Sequence, residues 1–317
     1  MEIVLENYSY KIDSLLGQPL ALRYLKNYSK YQDKIPPLMI FHGPSGVGKM
    51  FAAELFSKSV LCLNGNACGL CQSCKMFQKK VHPDYILFPD NEKISIGDLK
   101  NPDVFTIRWL QSQRVIYKPD VSTKRLVVFP DATKINSEAE TAMLKTLEET
   151  NDHTKFIFVV EDIHSLKSTI RSRAVEIPFF YLSQSNMQII SDKIGITIPD
   201  YYSGSFDLGN LSLDAWNLFQ DKVENSIFDS IQLLRLEIWI KAYKTNHTEW
   251  KEDFDYKKFL DIISSLMIYS YFKNQEKDYS LCIDAIFEFK NILHKDINAM
   301  ENFSVSKLFN KLCTLVH

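Results

Sequence analysis

The sequence predicts an α/β protein, with a mostly parallel sheet flanked by helices over residues 1–178 and an all-helical remainder. Three observations carry that reading. First, PLMIFHG, KRLVVFPDA and KFIFVVED are continuous apolar runs, the pattern of strands buried on both faces. Second, the segments between them have helical spacing, as in SEAETAMLKTLEET, where Ala139, Met143, Leu144 and Leu147 share a face. Third, strand signals stop after IPFF. Beyond it, LDAWNLFQDKV, NSIFDSIQLLRLEIWIKAYK, KKFLDIISSLMIYSYF, YSLCIDAIFEFKNILHKDI and SVSKLFNKLCTLV all repeat apolar residues at helical steps. Turn-rich IPDYYSGSFDLG is a break within the helical part.

Composition bounds the function. The 317 residues are 45% hydrophobic and 24% charged, as in a soluble globular protein. A net charge of −2 leaves no global basic footprint, so any nucleic-acid contact must be local or shared with partners. MEIVLENYSYKIDS has no basic stretch followed by an apolar core, and no run reaches the ~18 apolar residues of a membrane helix. The expected location is the cytoplasm, where disulfides are rare. Four of the six cysteines cluster, which in a reducing compartment points to metal. Cys282 and Cys313 fall in helical patterns and read as buried hydrophobes.

The first apolar run leads into GPSGVGKM, residues 43–50, one letter short of a G-x-x-x-x-G-K-[ST] phosphate loop. Gly43, Gly46 and Gly48 would let backbone N–H groups converge on one anion at a helix N-terminus. Lys49 would reach the terminal phosphates. The last position should be a hydroxyl that holds magnesium, and here it is Met50, a soft thioether where magnesium needs hard oxygen. The alternative is a Gly-rich turn without a ligand.

Next come Cys62, Cys68, Cys71 and Cys74, spaced C-x5-C-x2-C-x2-C. Short C-x2-C steps let two thiolates share one ion, and Gly65 and Gly69 allow tight turns. Four thiolates with no open position make a structural zinc site. A ferredoxin-type cluster shares part of this run, but its fourth cysteine follows at x3 and precedes proline. Neither is present. Unligated buried cysteines are the remaining alternative. His82 is near in sequence, but four cysteines already close the shell.

The strand LVVFPDATKIN should end in the acids of a nucleotide hydrolase; it offers Asp131, preceded by Pro130. PDATKINSEAETAMLKTLEET, residues 130–150, resembles the segment that follows this strand in clamp-loader AAA+ proteins, where a helix ends in LLKTLEEP. STIRSRA, residues 168–174, resembles that family's P-T-I-x-S-R-C, with Ala174 in place of cysteine. The cysteine insertion, HPDY at 82–85 and Ile107-Arg108 are similar to the bacterial branch. The resemblance covers residues 14–180 and implies a P-loop AAA+ domain over 1–178 with a zinc module at 62–74. It further implies a helical lid domain over 179–225 and an all-α collar domain over 226–317.

In the register of that resemblance, Pro130 takes the place of the magnesium-binding acid and Asp131 that of the catalytic one. Val160, with Glu161 beside it, falls where a polar residue would sense the γ-phosphate. Asp207 falls near a second sensor that should be arginine. Met50 and Pro130 together remove both groups that hold one ion, so a site of this kind should not hydrolyse ATP. Arg173, after Ser172, corresponds to an arginine that projects into a neighbouring subunit's nucleotide site. A planar, permanently charged guanidinium suits a transferring phosphoryl group; the plain alternative is a surface arginine. The resemblance thus implies a non-catalytic subunit of the replicative polymerase III clamp loader. Its expected partners are gamma/tau-type ATPases, the delta subunit, the sliding clamp indirectly, and primed DNA through the assembly. Structural Zn2+ is the expected metal, with ATP and Mg2+ not bound productively. The alternatives are an ATP-hydrolysing subunit of the gamma/tau type and an unrelated P-loop nucleotide kinase. The kinase reading would need an Arg-rich lid.

Overall fold

A computed structural model describes residues 11–90, 92–148, 152–195 and 204–206. The chain divides into two compact units, Met1–Thr197 and Ile198–His317. The first holds a five-stranded sheet in the order β2-β3-β4-β1-β5, with every pair parallel. The strands are β1 (Leu38–His42), β2 (Tyr85–Leu87), β3 (Arg125–Phe129), β4 (Thr154–Val160) and β5 (Ala174–Pro178). Parallel strands need crossovers, and helices supply them. The crossover helices are α2 (Lys49–Leu61), α3 (Gln72–Gln78), α4 (Ile107–Leu110), α5 (Ser137–Glu148) and α6 (Ser168–Arg171), while α1 (Pro19–Lys30) precedes β1 and α7 (Gln184–Ile194) follows β5.

The three apolar runs are the three central strands, and β1, β3 and β4 are buried along almost their whole length. Alternation within each strand splits the core into two layers. Met39, Phe41, Val128, Ile157 and Val159 face one layer, with Ala52, Ala53 and Phe56 of α2 and Leu25 of α1. Leu38, Ile40, Val127, Phe129, Phe156 and Phe158 face the other, with Ala139 and Met143 of α5 and Ile170 of α6. The two edge strands had no sequence signal of their own. β2 has three residues, and only Ile177 of β5 is fully buried, so neither produces an apolar run.

β1 lies between β4 and β5, with His42 in register with Val160 on one side and Pro178 on the other. The β4-to-β5 connection therefore passes across β1, and the loop after β1 opens at the carboxyl edge of the sheet. That edge is where open parallel sheets bind ligands. The expected collar at 226–317, Cys282, Cys313 and Asp207 lie outside the described residues. So does the expected lid at 179–225, apart from residues 179–195 and 204–206. No helix among the described residues is long and apolar enough to cross a membrane.

Candidate functional site

The loop Gly43–Gly48 joins β1 to α2 as the motif predicts. Gly43 has φ 137°, and its N–H donates to Glu161 O at 3.0 Å, which ties the loop to the end of β4. A Cβ at Gly43 would lie 2.1 Å from Phe179 O, so only glycine fits. Gly48 caps α2 at φ 96°, and Gly46 also has positive φ at 68°. From α1's side, Gln18 is 1% exposed and spans the site. Its amide donates to Phe180 O at 2.6 Å and Val47 O at 3.3 Å, and its Oε1 accepts from Phe180 N at 3.0 Å. Sequence reasoning missed Gln18; the only trace is its place just before Pro19 at the start of a helix.

Lys49 is buried, and its ammonium is turned back on the loop. Nζ donates to Gly43 O at 2.7 Å and Pro44 O at 2.5 Å. Met50 is half-buried and packs against the apolar layer beneath α2. Pro130 follows β3 directly and brings no acid to the sheet edge. Asp131 Oδ1 accepts from Thr133 N at 3.0 Å and Thr133 Oγ1 at 2.6 Å, so this carboxylate closes its own turn. Val160 ends β4 buried in the core, and the Glu161 that follows is exposed. The sheet thus brings Lys49, Met50, Val160, Pro130 and Asp131 to one edge, with no hydroxyl at position 50 and no carboxylate at position 130.

Arg173 lies elsewhere, in the exposed turn between α6 and β5. Its Nη1 donates to Thr169 O at 2.9 Å and Ser172 Oγ at 3.3 Å, and its Nη2 pairs with Glu148 Oε1 at 2.5 Å. Ser172 Oγ donates to Thr169 O at 3.0 Å. The segment is gripped a second time at its start. Lys167 Nζ pairs with Glu140 Oε2 at 3.0 Å, and Lys167 N donates to Glu140 Oε1 at 3.0 Å. Helix α5 therefore holds both ends of the arginine-bearing segment. Neighbouring Arg171 is committed to Glu176 at 3.2 Å and His164 at 3.1 Å.

The four cysteines converge as expected. The Sγ atoms of Cys62, Cys68, Cys71 and Cys74 all lie within 4.8 Å of one another. Cys62 and Cys71 are 3.9 Å apart, against about 3.8 Å for two thiolates on a tetrahedral zinc. Backbone N–H groups already point at the sulfurs: Cys68 N to Cys62, Cys71 N to Cys68 and Cys74 N to Cys71, each at 3.4 Å. Asn64 Nδ2 adds a donor to Cys68 at 3.3 Å. The N–H groups of Cys71 and Leu70 bring the Cys68 thiol down to about 6, whereas burial pushes Cys74 up to about 12. At Cys62 burial raises the thiol, and the N–H groups of Cys68, Asn66 and Asn64 overcome it. This donor set fits a metal ion held by thiolates. Burial holds the nearby Lys58 ammonium below the ordinary lysine range, while Cys74, Cys62 and Cys68 act to raise it.

His82 contributes no ligand. Ser73 Oγ and Ser122 Oγ both donate to Leu61 O, the last carbonyl of α2, at 2.6 and 2.7 Å. Their hydroxyl protons are thus spent, and His82 Nε2, 2.9 Å from Ser73 Oγ, must donate. Its Nδ1 accepts from Asp84 N at 3.0 Å, so the ring is neutral. Asp84 in turn accepts from Asp120 N, Val121 N and Ser122 N at 2.7, 2.8 and 2.9 Å. It also faces Arg125 at 3.5 Å. HPDY is a buried strut that ties the cysteine module to β2 and β3.

A glycine-rich loop at the carboxyl edge of a parallel sheet, with four clustered cysteines that begin at the end of the helix it starts, defines the class: a parallel α/β protein with flanking helices and a cysteine cluster that could hold a metal ion. A family model described as DNA polymerase III, delta subunit matches residues 17–183, more than half the chain, and the chain belongs to that family. Among curated relatives, the DNA polymerase III subunit delta' of Bacillus subtilis is 31% identical over 166 residues, 51% of this chain and 47% of the relative. The corresponding Pseudomonas aeruginosa protein is 27% identical over 143 residues, 43% and 41% of the two chains. The subunit gamma/tau of Mycoplasma pneumoniae is 24% identical over 226 residues, 71% of this chain and 30% of that one. The chain thus spans less than half the length of each of these relatives.

Proposed function

We propose that this chain is a delta-prime-type, non-hydrolysing subunit of a bacterial DNA polymerase III clamp loader, which offers Arg173 to the nucleotide site of a neighbouring ATPase subunit. The observation that carries the reading is the paired substitution at one sheet edge. Met50 packs against the apolar layer where a magnesium hydroxyl belongs, and Pro130 stands where an acid belongs. Phosphoryl transfer is catalysed by positioning and charge neutralisation, so a loop without its metal ligands keeps the architecture and not the reaction. Lys49, turned onto Gly43 O and Pro44 O, is consistent with a loop that closes on itself.

The exposed turn at Arg173 supports the second half. The guanidinium is anchored through Nη1 and Nη2, and it stands at the surface where another subunit's phosphates could reach it. There it would stabilise the charge on a transferring phosphoryl group. Zinc at Cys62, Cys68, Cys71 and Cys74 would stiffen the insertion without taking part in catalysis. Residues 179–225 and 226–317 would form the lid and the collar that packs with gamma/tau-type and delta subunits. The sliding clamp and primed DNA would be met through that assembly.

The test is reconstitution. The purified chain alone should show no magnesium-dependent ATP turnover. Arg173→Ala should leave its fold and its assembly with the ATPase subunits intact, and slow hydrolysis at the one neighbouring site it serves. Trans arginines of this kind are worth ~10³–10⁵ in rate at the site they complete in GTPases. Sustained turnover by the isolated chain, or an assembled R173A complex with wild-type hydrolysis, would overturn the proposal.

A further inference from the structure

Helix α5 holds the Arg173 segment with two carboxylates of different character. Glu140 is 9% exposed, and both its oxygens are engaged by Lys167, Oε1 by the backbone N and Oε2 by Nζ, each at 3.0 Å. That contact fixes the backbone of the segment. Glu148 ends α5, and its Oε1 lies 2.5 Å from Arg173 Nη2, with the two side chains 53% and 38% exposed. An ion pair so open to solvent adds little to folding. What it fixes is the place of one side chain.

That side chain is already half fastened. Arg173 closes the short helix α6, where Thr169 O accepts from Arg173 Nη1 at 2.9 Å and from Ser172 Oγ at 3.0 Å. Nη1 also donates to Ser172 Oγ at 3.3 Å. With Glu148 on Nη2, three of the five N–H groups of the guanidinium are engaged on this chain. Nε–H and one N–H of Nη2 have no hydrogen-bond partner among the described residues, and these two are left for an incoming oxyanion. A long side chain held before its ligand arrives loses less freedom on meeting it. The helix that supplies Glu148 is itself pinned, since Gln111 Nε2 donates to Ala142 O at 3.0 Å and Thr146 Oγ1 at 2.6 Å.

We propose that Glu148 is a positioning residue for Arg173, holding the guanidinium in the geometry in which a neighbouring subunit's phosphoryl group meets it. It acts through Arg173 and touches no phosphate. The proposal rests on the reading of Arg173 as a trans arginine given above.

The test uses the full chain assembled with its ATPase subunits, with hydrolysis blocked at every site except the one Arg173 serves. Glu148→Ala should lower kcat there about five-fold, which corresponds to about 1 kcal/mol and is the ceiling for an exposed pair. KM for ATP should stay within about two-fold, because the arginine acts on charge that develops in the transition state. Glu148→Gln keeps an acceptor oxygen for Nη2 and should recover most of what Ala loses. Glu148→Ala added to Arg173→Ala should slow hydrolysis no further, since one residue acts through the other. Wild-type kcat in Glu148→Ala would make Glu148 a plain surface partner, and a faster rate would make the pair a restraint on Arg173; either overturns the proposal. A further loss in the double variant, or a change confined to KM, would also overturn it, by giving Glu148 a role of its own. Arg173→Ala separates the two readings. If that variant hydrolyses like wild type, the trans arginine itself is refuted, whereas slow Arg173→Ala beside wild-type Glu148→Ala removes only the role of Glu148.

Discussion

Gly43 shows how a single residue ties the loop to the sheet. Its φ of 137° and the 2.1 Å separation of a Cβ from Phe179 O leave no room for a side chain. Gly43→Ala should therefore destabilise the unit by at least about 2 kcal/mol, measured by chemical denaturation. His82 makes a pH-dependent contribution. Burial lowers its pKa, against the opposing charge of Asp84. A histidine held neutral in the fold binds protons first in the unfolded chain. Its contribution is complete above the unfolded pKa, about 6.5, and declines as pH falls from there towards the lower folded pKa. Nitrogen NMR should find the neutral Nε2–H form of His82 persisting below pH 6.5. A ring that protonates like a free histidine would contradict the strut described above.

At the scale of elements, two acidic residues contrast. Asp84 is fully buried, accepts three backbone N–H groups of the segment 120–122 and faces Arg125, itself 1% exposed. Asp84→Ala would leave that guanidinium and those amides uncompensated, at a cost of ~3–5 kcal/mol, and should unfasten the cysteine module from β3. Glu148, at the end of α5, makes an ion pair with Arg173 that is open to solvent, its side chain 53% exposed. Glu148→Gln should change stability by less than about 1 kcal/mol in the same denaturation experiment. Its structural interest lies in orientation. α5 follows the Pro130–Asp131 corner and grips the Arg173 segment at Lys167 and at Arg173.

For the whole molecule, the sheet and the cysteine cage make separate predictions. Removing metal with a chelator should lower the melting temperature of the full chain, since the cage closes the end of α2 at Cys62. The sheet should remain, because its two apolar layers do not depend on the cage. Circular dichroism of the stripped protein at low temperature checks this, with most α/β signal retained. On the proposed function, the same separation would let a chain give up ATP chemistry and keep the architecture of its sheet. The fold is carried by the strands, whereas the chemistry would depend on the few side chains at their carboxyl ends.

Much of this was legible in the chain alone. β1, β3 and β4 could be read because strands buried on both faces must be apolar throughout. The glycine-rich turn after β1 could be read because its backbone needs glycines at fixed positions, and the convergence of the four cysteines because their close spacing keeps the thiols together. Met at position 50 and Pro at position 130 were likewise visible, because residue type is read directly from the chain. Tertiary structure alone decided the rest. It paired the short edge strands β2 and β5 with their neighbours, turned Lys49 onto its own loop, set Glu148 against Arg173, and buried Lys58 one turn from Cys62. These outcomes depend on which distant segments meet and how far water is excluded between them. Local residue type and spacing carry no record of either.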